Sequence, residues 1–532
     1  MLTKSKSFAD TSNEETAELA SKLSAVLDAQ DVIVEPEALE LMSGDVYSQG
    51  VTAALAIRPR QRDHLSAAVR IITDEGFALY PRGGGMSYTG GYTPDRANAV
   101  MVDLSALDAI VEVSPDNMTI TVEAGVTWKA IYDVLDPLGL RLPFFGTFSG
   151  IRATVGGGLS NGALFMGTAR YGSGAEIVLG LEVVTASGSV ITTGQAGFTN
   201  GKPFYRSYGP DLTGLFVHDS GALGIKSLMT LRLIKKPAAE NYASFVFANA
   251  EQVAAALSDI GRSGYAEEVY VFDPETTRRS MNEADLKADI RRLFNVIRKQ
   301  GVKAGAGVAR AGRKLAPEDN VFSLHLVCSG NSPQASEQDL VACRALAAEN
   351  AGTEIADSIP RAVRANLFEP LNNILGANGD RWAAINAKLA HADAPAVIAK
   401  TNKIFDRHAD AMAAHRVTFS QLFVAISNHA FSYEPVMRWY DEWLPLHRTI
   451  PEPGHLKKLT EPEANPEGRA LVETIRQEIV DLFQQEGAAS TQIGRTYPYF
   501  QSLKPEAASL IKALKTELDP KGLMNPGALG IR

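Results

Sequence analysis

The run Tyr80-Pro81-Arg82-Gly83-Gly84-Gly85-Met86-Ser87-Tyr88-Thr89-Gly90-Gly91 is the feature that most constrains what this chain can fold into. Glycine has no Cβ, so successive backbone N–H groups can converge and come close to a ligand. A concave array of such groups binds phosphate oxygens. The run continues an apolar stretch, Phe77–Pro81, that reads as a strand. Two common phosphate loops do not fit it. A G-x-G-x-x-G turn fails because Tyr88 stands three residues after Gly85. A Walker loop fails because Gly201-Lys202 is followed by Pro203 and has no matching upstream glycine. By itself a glycine cluster after a strand is more often a turn than a nucleotide site. Two further segments change that reading: Thr154-Val155-Gly156-Gly157-Gly158-Leu159-Ser160-Asn161-Gly162, and Asp211–Ile225 with its Gly214, Gly221 and Gly224. Several backbone-exposing segments in one region suit an elongated dinucleotide that needs contacts along its length.

The glycines stand out against an otherwise ordinary composition. The chain has 532 residues, 45% hydrophobic and 21% charged, the profile of a globular protein. Its length predicts roughly two to four domains. A net charge of -9 argues against a general nucleic-acid binder, which needs a basic footprint. The cysteines, Cys328 and Cys343, form no CxxC and read as inert buried thiols in a reducing compartment. No apolar h-region follows Met1–Lys6, and no run approaches the ~18 apolar residues of a membrane span. The expectation is a cytoplasmic protein, with peripheral membrane contact left open.

Along the chain, Ser12–Leu27 reads as an amphipathic helix with Ser12 and Glu15 as a capping box. From Val51 to Pro237 the pattern is α/β: strands at Leu55–Arg58, Phe77–Pro81 and Ala99–Leu104, a helix over Arg60–Glu75, a hairpin of Val111–Val113 with Thr119–Glu123, and a helix over Val126–Leu135. The strand pair Val178–Thr185 and Val190–Thr193 and the strand Leu228–Leu233 complete the region. After Pro237, strands are predicted at Tyr242–Phe247, Glu268–Phe272, Val321–Val327 and Arg416–Ile426, with helices between. Residues 279–320, rich in Arg, Lys and Asp, read as an exposed helical excursion with a solvated face. A last helix spans Lys504–Leu518.

In this order the segments resemble the FAD-binding domain of the vanillyl-alcohol oxidase and p-cresol methylhydroxylase superfamily, and most closely its D-lactate and glycolate dehydrogenase branch. Four features carry the resemblance: Pro81–Gly91; Ala153–Gly157 with Arg170–Gly172 and Val178–Val184; Asp211–Ile225 with Leu231–Pro237; and Asp519–Gly527, ending Met524-Asn525-Pro526-Gly527. The resemblance implies an α+β fold. An FAD-binding domain would cover residues 1–237, with its core at about 51–237, followed by a cap domain over 238–491 that supplies most of the substrate pocket. Residues 492–532 would return to the FAD domain. It further implies FAD held by Pro81, Arg82, Gly83, Gly84, Gly85, Met86, Ser87, Ser149, Thr154, Gly156, Gly157, Ser160, Gly221, Ile225 and Asn525. Relatives that tether the flavin through this loop have a histidine where Met86 stands, so noncovalent FAD is expected. Dimers are common in the superfamily.

Flavin oxidation of an alcohol requires a group to take the hydroxyl proton, and a 2-hydroxy acid also requires a cation for its carboxylate. The candidates for these catalytic roles are His429, Glu434 and His447 as acid–base groups, Arg495 as a carboxylate clamp, and Tyr497 as a pocket residue. Phe144, Phe145, Phe431, Trp439 and Trp443 are candidate walls. Many members of the branch carry a metal-binding HGHxGDGN motif and a GEH triplet. Here no H-x-H occurs and Ser490-Thr491-Gln492 stand before Ile493-Gly494, so no metal is expected. The reading is an FAD-dependent oxidoreductase acting on a 2-hydroxy acid such as D-lactate and passing electrons to a quinone, cytochrome or other carrier. The alternatives are an oxidase of phenolic or aryl alcohols and a flavin-binding subunit without its own turnover.

Overall fold

Leu65, Ala68, Val69 and Ile72 recur at i, i+3, i+4 and i+7 and are all fully buried. That stripe makes Arg62–Asp74 a helix with one face on a sheet. In the computed structural model, which describes residues 13–282, 286–311, 320–376 and 378–531, this helix covers a four-stranded sheet ordered Val32–Ile33, Leu55–Ile57, Ala99–Asp103, Ala78–Arg82. The last three strands run parallel. The free edge at Ala78–Arg82 is taken by the C-terminal segment. Leu79 N donates to Leu523 O at 2.7 Å and Asn525 N donates to Leu79 O at 2.8 Å. The chain end therefore pairs with the strand that runs into the glycine loop. A five-stranded antiparallel sheet follows, ordered Ile110–Ser114, Thr119–Glu123, Ile225–Arg232, Val178–Val184, Val190–Thr192.

The third large sheet has eight strands, all antiparallel, built from residues after Pro237. Its order is Thr353–Ile355, Ala239–Phe247, Phe322–Gly330, Glu268–Phe272, Thr418–Ile426, Ala430–Trp439, Arg381–Ala384, and Ala387–Leu389 also pairs with Ala430–Trp439. The helices Ala250–Ser263, Pro333–Glu349, Ala394–Arg407 and Pro466–Gln485 bury Leu257, Cys343, Phe405 and Ile479 in one apolar cluster with this sheet. The opposite face of the sheet turns toward the glycine segments.

Strands and helices lie close to their expected positions, with boundary shifts of a few residues. The helix expected over Val126–Leu135 begins at Trp128, because Thr127 caps it by accepting from Ala130 N. The N-terminal helix runs Asn13–Leu23 with Leu19 and Leu23 fully buried; Ser12 and its capping box lie outside the described residues. Of the excursion expected over 279–320, the described residues form the end of helix Pro274–Asn282 and the helices Leu286–Gln300 and Val302–Ala311, and they are more than a solvated face. Helix Leu286–Gln300 docks beside helix Ser358–Ala365, bonding the residues just after it through Arg292 to Glu369 at 2.7 Å and Asn295 to Asn366 at 2.7 Å, and it buries Val296.

Candidate active site

A cavity of about 530 Å³ lies between the glycine segments and the open face of the eight-stranded sheet. The glycine loop forms one wall. A Cβ on Gly83 would overlap Thr154 Oγ1, and Gly85 has φ +72 and its open side against the Arg82 guanidinium. Both positions need glycine for these reasons. Arg82 is buried, lines the cavity, and its Nε has no hydrogen-bond partner. Converging glycines with a buried guanidinium whose Nε lacks a hydrogen bond form a donor set that suits a diphosphate.

The other wall follows from the period of a strand. Along Ala430–Trp439, Phe431, Tyr433, Met437 and Trp439 enter the apolar core, while Ser432, Glu434, Val436 and Arg438 line the cavity. The same alternation puts Ser420, Leu422 and Val424 on the cavity face of the next strand, and Glu268, Tyr270 and Phe272 on the one beyond. Lys388, paired in register with Ser432, also lines the cavity, and its Nζ donates to Ser432 Oγ at 2.8 Å. Burial lowers the Lys388 ammonium to about 8 against the pull of Glu434. Burial likewise raises the Glu434 carboxyl, with Lys388 opposing. Glu268 is raised to about 7 by burial, with Arg364 pulling the other way. Its carboxylate is bonded to Arg364, which also holds Glu240 at 2.6 Å and Glu267 at 2.9 Å.

The residues singled out from sequence divide sharply. Pro81, Arg82, Gly83, Gly85, Met86 and Ser87 line the cavity, as do Ser149, Thr154, Gly156, Gly157, Ser160, Gly221 and Ile225. Gly84 does not; its carbonyl accepts from Arg152 Nε at 2.8 Å on the side away from the cavity. Asn525 does not either. It clasps the loop from behind, with Nδ2 donating to Gly91 O at 2.8 Å and to Ser220 O at 2.6 Å.

Among the candidate catalytic residues only Glu434 reaches the cavity. His429 sits exposed in the turn between Thr418–Ile426 and Ala430–Trp439, where a hairpin points its side chain to solvent. His447 is fully buried elsewhere, with Nε2 against Val46 O at 2.9 Å and Nδ1 accepting from Leu444 N at 3.2 Å. Burial holds it down at about 3, so it is a neutral structural imidazole. Arg495 spends its guanidinium on Gly90 O, Asn525 Oδ1 and Pro526 O. Tyr497 accepts from Asn386 N at 2.6 Å, and its oxygen is buried behind the cavity wall. The aromatic walls are also different ones. Phe431 and Trp439 face the core, and Phe144, Phe145 and Trp443 are outside the cavity; Tyr88, Phe148, Phe165, Tyr270, Phe272 and Trp382 line it. Among the described residues no histidine lines the cavity, and no three His, Cys, Asp or Glu side chains gather as metal ligands. Where the resemblance places the histidine of GEH, Gln492 donates to Tyr88 Oη at 2.9 Å.

With this arrangement established, similarity to known proteins becomes informative. A family described as an FAD binding domain matches residues 53–194. A second, described as FAD linked oxidases, C-terminal domain, matches residues 236–529, more than half of the chain. The chain belongs to the FAD-linked oxidases. Its cofactor is FAD. This FAD-linked oxidase is 31% identical over 208 residues to D-lactate dehydrogenase [cytochrome] 1, mitochondrial, of Saccharomyces cerevisiae, a match covering 39% of this chain and 34% of that protein. It is 31% identical over 204 residues to the glycolate oxidase subunit GlcD of Bacillus subtilis, covering 38% of this chain and 42% of the relative. These matches thus span less than half of each relative's own length. The solved structure of p-cresol methylhydroxylase with substrate bound shares the fold, with a TM-score of 0.74 at 18% identity over 98% of both chains. Among the described residues no helix is long and apolar enough to cross a membrane.

Proposed function

We propose that this FAD-linked oxidase oxidises the CH–OH group of a 2-hydroxy acid, with Glu434 taking the hydroxyl proton. The observation that carries the reading is that Glu434 and Lys388, on paired strands, both face the cavity. A carboxyl, and an ammonium to which no carboxylate is bonded among the described residues, face the same cavity where a substrate would meet the cofactor. Bound FAD supplies the acceptor for the hydride that leaves the carbinol carbon. The O–H bond breaks at the same centre, and Glu434 receives that proton as the carbonyl forms. Lys388 supplies the cation that Arg495, locked into the C-terminal return, cannot. Pro81–Ser87, Thr154–Ser160 and Gly221–Ile225 hold the cofactor without a covalent link. Met86 supports this, since its thioether cannot form the link that a histidine at this position would. Electrons then leave for a carrier such as a quinone or a cytochrome; the name of the yeast relative favours the latter.

One observation favours a second reading, an aryl alcohol. The rings of Tyr88 and Trp382 meet edge to face at 5.2 Å on the cavity wall. Turnover with an artificial acceptor dye tests both the role of Glu434 and the substrate. Glu434→Gln should lower kcat by about 10²-fold or more while FAD stays bound, the usual size of a lost acid–base group. An unchanged kcat would remove Glu434 from the chemistry. Turnover of vanillyl alcohol with none of any 2-hydroxy acid would overturn the substrate.

A further inference from the structure

Asn386 stands two residues before Lys388, where the alternation of an extended chain puts both side chains on one face. It is 1% exposed and lines the cavity, yet among the described residues neither its Nδ2 nor its Oδ1 has a hydrogen-bond partner. A buried amide with both ends open is costly unless a ligand completes it. Its Nδ2 needs an acceptor, which a carboxylate oxygen of a 2-hydroxy acid supplies; the acid's one hydroxyl hydrogen goes to Glu434. Lys388 adds a positive charge on the same face, with Ser432 Oγ as its bonded partner.

The surface beside this polar corner is apolar. Reading across the strands in register, Ser432 is followed by Val424 and Tyr270, and Glu434 by Leu422 and Phe272. Trp382 and Val436 continue the wall, and Trp382 packs on Tyr88. Lactate would cover little of this surface with its single methyl. From this juxtaposition we infer that the substrate is a 2-hydroxy acid with a bulky apolar or aryl side chain, its carboxylate on Lys388 and Asn386 and its side chain against Leu422 and Trp382. The inference rests on the 2-hydroxy-acid reading above and narrows it.

The test uses the FAD-loaded protein. Both enantiomers of phenyllactate, of lactate and of 1-phenyl-2-propanol, which keeps the ring and hydroxyl but lacks the carboxylate, are mixed with it anaerobically and flavin bleaching is followed. Phenyllactate should exceed each of the others by more than about tenfold in reduction rate over apparent Kd, the range expected for several added methylene-sized contacts or for a lost polar partner. A binding arm needs no turnover. 3-Phenylpropanoate should perturb the resting flavin spectrum at concentrations about tenfold or more below those that propanoate needs. Lys388→Met and Asn386→Ala should each weaken 3-phenylpropanoate binding by about tenfold or more. Lactate equal to or better than phenyllactate would overturn the side-chain inference and leave the 2-hydroxy-acid reading standing. Bleaching by 1-phenyl-2-propanol and by neither acid would overturn both. Unchanged 3-phenylpropanoate binding in both variants would overturn the assignment to Lys388 and Asn386. The wild-type comparisons decide the substrate class even if the variants do not fold.

Discussion

At the scale of single residues, the proposed chemistry rests on two titrating groups whose ordinary pKa values burial moves toward each other. Glu434 is raised, so it loses the proton-accepting form as pH falls through that elevated value. Lys388 is lowered to about 8, so it loses its charge, and with it the proposed hold on a carboxylate, as pH rises through about 8. Tyr88 and Tyr497 feel the charge of Glu434, and Arg476 acts on both; the two phenols are raised by burial and stay protonated across this range. The account predicts a bell-shaped pH profile of kcat/KM with an alkaline limb near 8. Lys388→Arg should move that limb upward, because the guanidinium does not titrate there. A profile of the variant identical to wild type would remove Lys388 from the alkaline limb. These two residues were unequally legible. Glu434 and His429 are legible alike, as acid–base groups just after the strand expected over Arg416–Ile426. Only the position of the turn separates them, sending His429 to solvent and Glu434 inward. Lys388 carries no local signal. Its strand has three residues and exists because Ser432 and Ala489 pair with it across long stretches of chain.

At the scale of elements, the strand Ala78–Arg82 links the two most readable parts of the chain. The apolar run, the glycines after it and the Met524-Asn525-Pro526-Gly527 return were each visible as pattern. Their contact was visible only through the resemblance. Asn525, which the resemblance places at the cofactor, has a side chain that closes the gap between the glycine loop and Ser220, and its Oδ1 accepts from Arg495 Nη2 at 2.8 Å. Asn525 also sits at φ +42, a backbone region that asparagine enters more readily than alanine. Asn525→Ala would leave the carbonyls of Gly91 and Ser220 unpaired in a buried place. We expect a loss of about 2–4 kcal/mol by the usual cost of buried unsatisfied groups, read as a lower thermal midpoint and faster FAD release. An unchanged midpoint and unchanged FAD retention would show that the return is held by the backbone pairing alone.

At the scale of the whole molecule, the site is assembled from segments far apart in the chain, from Pro81 to Gln492. Glycine segments supply one wall, and alternate residues of an antiparallel sheet supply the other. The α+β architecture was legible because period-two and period-3.6 patterns are local. The cavity face of the later sheet was not, since it depends on register between strands far apart in sequence. Arg141 and Arg364 tie the two halves together through Glu267, at 2.6 Å and 2.9 Å, in a buried charged cluster beside the cavity. The central claim is that this one cavity brings the C2–H of a 2-hydroxy acid to the cofactor. Anaerobic mixing of the FAD-loaded protein with excess 2-hydroxy acid, protiated or deuterated at C2, tests it most directly. The account predicts full bleaching of the oxidised flavin band, slowed by deuterium at C2. No bleaching by any 2-hydroxy acid, or bleaching whose rate ignores the deuterium, would contradict it.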